Sequence, residues 1–480
     1  MDIESTNQVN KVGVLSRFGG FLKALPRNLK SKFINVTNNV KKIGQDDPRR
    51  VIHSLKVGVA LTIVSLFYYS RPLYNGFGVA GMWAVLTVVV VFEFTVGATL
   101  SKSLNRGCAT LLAGALGVGG HHLATAVGER GEAIVLGILV FILAAVSTFI
   151  RFFPKIKARY DYGVVIFILT FCLVTVSGYR VEELFDLAHQ RLSTIIIGAA
   201  TCMLISIFVC PVWAGQELHN LVASNIQKLA NYLEGFEGKY FHSLEDKEES
   251  KSLLEGYKNV LNSKASEESM ANFARWEPGH GGFSLRHPWK QYLKIGTLAR
   301  ECAYKIETLN TYLNPKIQAS LEFKCKIQEP CTKMSSESHK ALKAISTSMK
   351  KMTQPSTAKI HIENSKYAIE ELKVALEVIS LEDVELLTII PVATVAAILE
   401  EITISVEKIY ESVSELSHLA HFKSVEPNVS PEKPPLLHRG IIKPVVDIDN
   451  SSHVEITIQD ICTDSPEKAT KETGEILRTM

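Results

Sequence analysis

Three cations, Lys102, Arg106 and Arg191, sit beside or inside apolar runs, and these are the side chains best placed to do chemistry. Lys102 and Arg106 follow MWAVLTVVVVFEFTVGATL at 82–100, with no proline between. Arg191 opens RLSTIIIGAATCML. Charge near the hydrocarbon core of a bilayer is costly, so such residues mark an ion path or an anchored helix end. A guanidinium stays charged and can grip a carboxylate with two parallel hydrogen bonds. Several around one cavity would lower the entry cost of an anion and repel cations. Alternatively, Arg106 anchors the inner interface and Arg191 the outer, each side chain reaching back to the headgroups. Spacing alone leaves both readings open. Glu93 is a lone carboxylate in the same apolar run, with Lys102 and Arg106 as its candidate partners.

Other chemistries find little support. The sequence has no P-loop, Gly-rich dinucleotide fingerprint, hydrolase elbow or HExxH. Nothing therefore favours an ATP-driven pump, a membrane protease or any other enzyme, and no cofactor is implied. His121 and His122 adjoin the outer end of a glycine-rich apolar segment, where interfacial polarity explains them better than a metal. The eight cysteines are scattered, without a CxxC pair, and several lie in apolar runs. They read as buried thiols, with neither a disulfide nor a zinc framework.

The elements that must position the cations follow from hydropathy. The chain has 480 residues and a formal net charge of +3, so whole-chain charge does not point to nucleic acid. Its halves differ sharply. A basic arm spans 1–50, where Val12, Leu15, Phe18, Leu22 and Leu25 recur at helical spacing and fit either a membrane surface or a solvated arm. The arm lacks the pattern of a cleaved signal peptide. Six candidate spans follow within 51–213, at 51–69, 79–94, 103–124, 133–152, 162–178 and 187–211. Gly107, Gly114, Gly117, Gly119 and Gly120 predict close helix packing for the third. Cations concentrate in alternate loops, at Arg49, Arg50, Lys102, Arg106, Arg151, Lys155, Lys157 and Arg159, which places both termini in the cytosol.

From 214 to 423 the apolar pattern becomes amphipathic and helical, with Leu218, Leu221, Val222, Leu229, Leu233 and Phe236 on one face. A charged stretch at 245–268 and a turn-rich element, RWEPGHGGF, lie ahead of further helical patterns near 288–312, 315–351, 360–379 and 384–419. Pro391 is expected to restart or kink the last one. The tail at 424–480, rich in proline, acids and hydroxyls, is expected to be largely disordered, with Val454, Ile456 and Ile458 as one short strand. The fold class is thus an all-α membrane protein with a C-terminal helical bundle.

The chain resembles the plant aluminium-activated malate transporters, a family of anion channels. The resemblance rests on DPRR at 47–50, MWAVLTVVVVFEFTVGATL at 82–100, NRG at 105–107 and STFIRFFP at 147–154. It continues through DYGVVIFILTF at 161–171, RLSTIIIG at 191–198, FVCPVWAGQELH at 208–219, WEPGHG at 276–281 and RHPWKQY at 286–292. It covers roughly 45–423 and implies a homodimer with six spans per subunit and a pore on the two-fold axis. Arg106 and Arg191 match the basic pore positions, which turns the reading away from snorkelling, and Lys102 falls at the inner vestibule. The implied cargo is malate and other carboxylates, with chloride and nitrate.

The resemblance also marks Phe208 and Trp213 as part of a segment proposed to respond to γ-aminobutyrate, although Pro211 and Trp213 equally suit an ordinary helix exit. Aluminium sensing would need hard oxygen ligands. Glu182 and Asp186, four apart before the sixth span, are the candidates, and solvated loop charge is the better reading of them. The expected gating input is a protein kinase acting on tail hydroxyls. The expected location is the plasma membrane ahead of the vacuolar one. A coupled exporter of carboxylic or aromatic acids is the rival reading.

Overall fold

The computed structural model describes residues 27–69, 81–178, 184–241, 255–312, 321–380 and 386–424. The arm pattern at 12–25, Glu182, the tail hydroxyls and the strand expected at 454–458 lie outside these residues. The described chain is all-helical, with two isolated bridges and no strand. In order the helices are α1 (Arg27–Asp46), α2 (Pro48–Tyr69), α3 (Met82–Val91), α4 (Val96–Thr125), α5 (Glu129–Ile150), α6 (Pro154–Gly178) and α7 (Leu184–Phe208). Then come α8 (Ala214–Phe241), α9 (Tyr257–Leu261), α10 (Lys264–Ala274), α11 (Trp289–Thr311), α12 (Leu321–Lys351), α13 (Ser356–Ser380) and α14 (Leu386–Leu419).

Four described helices are long and apolar enough to cross a membrane: the segments Gly131–Ile150, Pro154–Val176, His189–Phe208 and Ile389–Leu419. The first three fall in α5, α6 and α7, and the last is most of α14. Their surroundings separate them. Only 11% of the α5 window is buried, and Ile138, Phe141, Ile142 and Phe149 are bare, whereas 44% of the α14 window is buried. Leu399, Ile402, Val406, Ile409 and Val413 of α14 belong to the core of the C-terminal bundle. α14 thus uses its apolar stripe on protein, and α5 leaves its own uncovered.

The second and third expected spans are two separate helices, α3 and α4, joined through residues 92–95. α3 is ten residues long and ends at Phe92, whose φ of −74° and ψ of 105° leave the helical region. Thr95 then caps α4, its side chain accepting from the Ala98 amide. α4 packs mainly on α6 and α7, while α2, α3 and α7 share a small core of Ala60, Val64, Ala84, Val88, Cys202 and Ile205. Glycine packing is narrower than the sequence predicts. A side chain at Gly117 would strike Val174 of α6, and one at Gly120 would crowd Leu139, but Gly107, Gly114 and Gly119 adjoin open space.

Three boundaries differ from expectation. α6 starts at Pro154, because proline is tolerated in a first turn, where its missing N–H has no partner to lose. The cations at 155–159 therefore lie on helix and not in a loop. The charged stretch before the turn-rich element ends in α9 and α10, and Glu267 of α10 is interior: Ser263 and Asn225 donate to it and Arg300 pairs with it. α14 starts before Pro391 and runs through it.

Candidate functional site

α4 and α7 carry the three cations at different heights. The Val96 amide, at the start of α4, donates to the Val212 carbonyl just past the end of α7, at 2.9 Å. Those two ends therefore lie at one level. With a rise of about 1.5 Å per residue, Lys102 sits about 9 Å up α4, Arg106 about 15 Å, and Arg191 about 26 Å up α7 from Phe208. The cations form a ladder and not a single ring.

Their partners differ. Lys102 pairs with Glu93, which accounts for the lone carboxylate of the apolar run. Lys102 also faces the ring of Tyr162, 5.7 Å from its centroid. Arg106 is buried, at 3% exposure, and one terminal nitrogen donates to the Tyr162 hydroxyl at 3.1 Å. Arg191, at 9% exposure, lies 4.2 Å from the centroid of the Trp83 ring. Neither Arg106 nor Arg191 has a carboxylate partner among the described residues, and the Nε of each lacks a hydrogen-bond acceptor there. Tyr162 and Trp83 went unnoticed in the sequence, because nothing local sets either ring apart from a membrane-interface aromatic. No contact joins Arg106 to Arg191.

Nearby ions behave otherwise. Arg151 makes a two-pronged pair with Asp161, at 2.7 and 3.1 Å. Arg300, buried in the C-terminal bundle, is matched by Glu267. His121 faces Glu132 at 3.4 Å, and no group of described residues could hold a metal ion. The seven described cysteines are free thiols, of which Cys202, Cys302 and Cys331 are buried. Burial pushes the Cys302 and Cys331 thiols up to about 12.

The other described sequence candidates lie at or near the ends of α7. Phe208 is exposed at the end of α7, while the Trp213 ring stacks on His280, 3.9 Å between centroids. Asp186 lies on α7 one helical turn and more before Arg191, and its side chain is outside the described residues.

The turn-rich element supplies a contact that no sequence pattern announced. Glu277 is 3% exposed and accepts three backbone amides: Gly97 at 3.1 Å, Ala214 at 2.6 Å and Gly215 at 3.0 Å. One carboxylate thus caps the N-termini of both α4 and α8, where unpaired N–H groups and the helix dipole favour negative charge. Burial pushes its carboxyl upward, and the three amides partly offset that. Two glycines permit the approach. A Cβ on Gly97 would come within 2.4 Å of the Phe273 carbonyl, and one on Gly215 within 2.4 Å of the Trp289 ring. The C-terminal bundle therefore grips the start of the helix that carries Lys102 and Arg106.

A buried polar chain lies behind this grip. His219 Nε2 is 2.7 Å from the Met349 carbonyl, which can only accept, so that nitrogen carries the proton. Nδ1 then accepts from the Tyr292 hydroxyl at 2.9 Å, and the Tyr292 oxygen accepts from His287 Nε2 at 3.2 Å. Burial lowers both histidines, His287 to about 4 with added repulsion from His219 and His280.

The family model described as "Aluminium activated malate transporter" matches residues 41–382. Aluminum-activated malate transporter 2 of Arabidopsis thaliana is 50% identical over 450 residues, covering 93% of this chain and 89% of that protein. Aluminum-activated malate transporter 1 of the same plant is 49% identical, with coverages of 88% and 87%. The protein of that name from Triticum aestivum is 45% identical, with coverages of 93% and 99%.

Proposed function

We propose a function from one premise: this chain belongs to the aluminium-activated malate transporter family. It carries anions, malate among them, across a membrane that α2 to α7 cross as six spans. Transport is passive, through a pore lined by Lys102, Arg106 and Arg191. The pore forms on the axis of a homodimer, and the bundle at 214–423 hangs beneath it in the cytosol.

The observation that carries this reading is the pair of buried, carboxylate-free guanidiniums at Arg106 and Arg191. An isolated buried charge costs several kcal/mol, on the order of the loss when an ion pair is broken by removing one partner. Proteins pair such groups, as this one does at Arg300 and Glu267. A permeating carboxylate is the missing counterion. It meets Lys102 first, close to a neutralising Glu93, then Arg106, then Arg191. Each guanidinium offers two parallel donors to a carboxylate, so a dicarboxylate can span successive rungs as it moves.

Voltage-clamp recording with malate and chloride gradients tests the reading. Large currents that reverse near the anion equilibrium potential are expected. Flux that instead requires a second, coupled ion would make the protein an exporter, and unchanged currents in Arg106→Gln and Arg191→Gln would remove both residues from the pore. The same recording with extracellular aluminium tests whether 182–186 senses it, and with γ-aminobutyrate whether Phe208 and Trp213 matter.

A further inference from the structure

We propose that α1 is an in-plane membrane helix that binds anionic phospholipid, on the side of the bilayer where the C-terminal bundle lies. The inference rests on the membrane reading above. Val36, Val40 and Ile43 recur at the spacing of one helical face, and they are 59%, 64% and 50% exposed. Such a stripe on a helix in water would cost free energy in proportion to its apolar area. Among the described residues, α2 is the one helix against which α1 packs to any extent.

Charge selects the occupant. Lys32, Lys41 and Lys42 are exposed, and the α1 sequence contains one carboxylate, Asp46, at its last position. In helical register Lys41 and Lys42 fall on opposite sides of the apolar stripe, toward the far face, and Lys32 at its edge, which is the layout of a helix lying at the headgroup boundary. A protein partner would have to bring a matching row of acids, and a second copy of this chain would bring the same lysines. Anionic phospholipid supplies acyl chain beneath the stripe and phosphate beside the lysines.

Position agrees with charge. α1 joins α2 through Asp47, and the first turn of α2 is held to the bundle side: Arg49 donates to Glu217 of α8 at 2.7 Å. Seven residues on, Lys56 donates to the Cys210 carbonyl past the end of α7, at 2.8 Å. The 20 residues of α1 thus leave the spans at the level where α7 gives way to α8. They are about 30 Å long.

The test uses the full chain in vesicles of neutral phosphatidylcholine, with or without phosphatidylserine. An environment-sensitive fluorescent amino acid is placed at position 40 or, on the far face, at position 38. Spin-labelled lipid should quench position 40 at least about twofold more than position 38. The quenching should strengthen with phosphatidylserine, and each of Lys32→Gln, Lys41→Gln and Lys42→Gln should weaken the lipid-charge dependence by roughly fivefold. Hydrogen exchange of the α1 amides in the unlabelled chain should slow in the same vesicles. Equal quenching at both positions, or exchange protection without quenching, overturns the proposal; the second result would mean that protein covers the stripe. Anion flux from the same vesicles reads the transport function separately, so the two can fail independently.

Discussion

The Arg106 guanidinium donates to the Tyr162 hydroxyl at 3.1 Å, a neutral partner where a buried charge would ordinarily have an acid. Tyr162 orients the guanidinium without cancelling it. Removing the charge and removing the hydroxyl should therefore have different consequences. Arg106→Gln is expected to cut anion flux by about tenfold or more, since hydrogen bonds to charged groups contribute roughly 1.5–3 kcal/mol. Tyr162→Phe should keep the anion-over-cation selectivity, measured from reversal potentials, and lose at most a few-fold in flux. Equal loss of selectivity in both variants would make Tyr162 part of the anion site itself.

Glu93 and Lys102 make the opposite arrangement at the lower rung, a pair in which charge is cancelled. Both are partly exposed, so solvent screens the interaction. Glu93→Gln should release the ammonium and lower the half-saturating malate concentration by up to about fivefold, the ~1 kcal/mol ceiling of a solvent-exposed ion pair. Lys102→Gln should raise it. Concentration-dependent currents distinguish these outcomes, and a shift of the same sign in both variants would refute the vestibule assignment.

Glu277 binds two helix N-termini, so its loss should be felt in the membrane part as well as in the bundle. Glu277→Gln turns one acceptor into a donor facing an amide and is expected to lower both flux and thermal stability. Gly97→Ala should do the same by forcing α4 off the Phe273 carbonyl. Because both act on one contact, the double variant should be little worse than either alone. Additive losses in a double-mutant cycle would show that the two positions act independently.

His287 and His219 are both held neutral in the folded chain, so protonation favours the unfolded chain. Their contribution is complete above the ordinary histidine value near 6.5 and is lost as pH falls toward the folded values. For His287, at about 4, that window corresponds to a loss of roughly 3 kcal/mol. Melting of the purified full chain should therefore drop steeply between pH 6.5 and 4. His287→Gln keeps a donor for Tyr292 without titrating and should flatten that drop. An unchanged pH slope would place the sensitivity elsewhere.

The apolar runs behind α5 and α7 were legible because a chain in hydrocarbon must satisfy its own backbone and is thereby forced into long helices. The amphipathic face of α8 was equally plain, and Leu218, Val222, Leu229, Leu233 and Phe236 are all buried. Arg106 and Arg191 stood out since charge in an apolar run has few explanations. What stayed hidden were pairings across long sequence separations. Glu277 meets Gly97 from 180 residues away and Arg300 meets Glu267 from 33, and a lone acid carries no mark of which distant donor it will find. The connection expected between the spans at 133–152 and 162–178 is also mostly helix, because Pro154 can open α6.

The Glu277 clamp also orders events during synthesis. Residues 96–125 of α4 are made long before residue 277, and until then the Gly97 amide lacks its acceptor. The start of α4 is thus completed by a residue 180 positions further on, and a chain that stopped before Glu277 would leave the Gly97 amide without that acceptor.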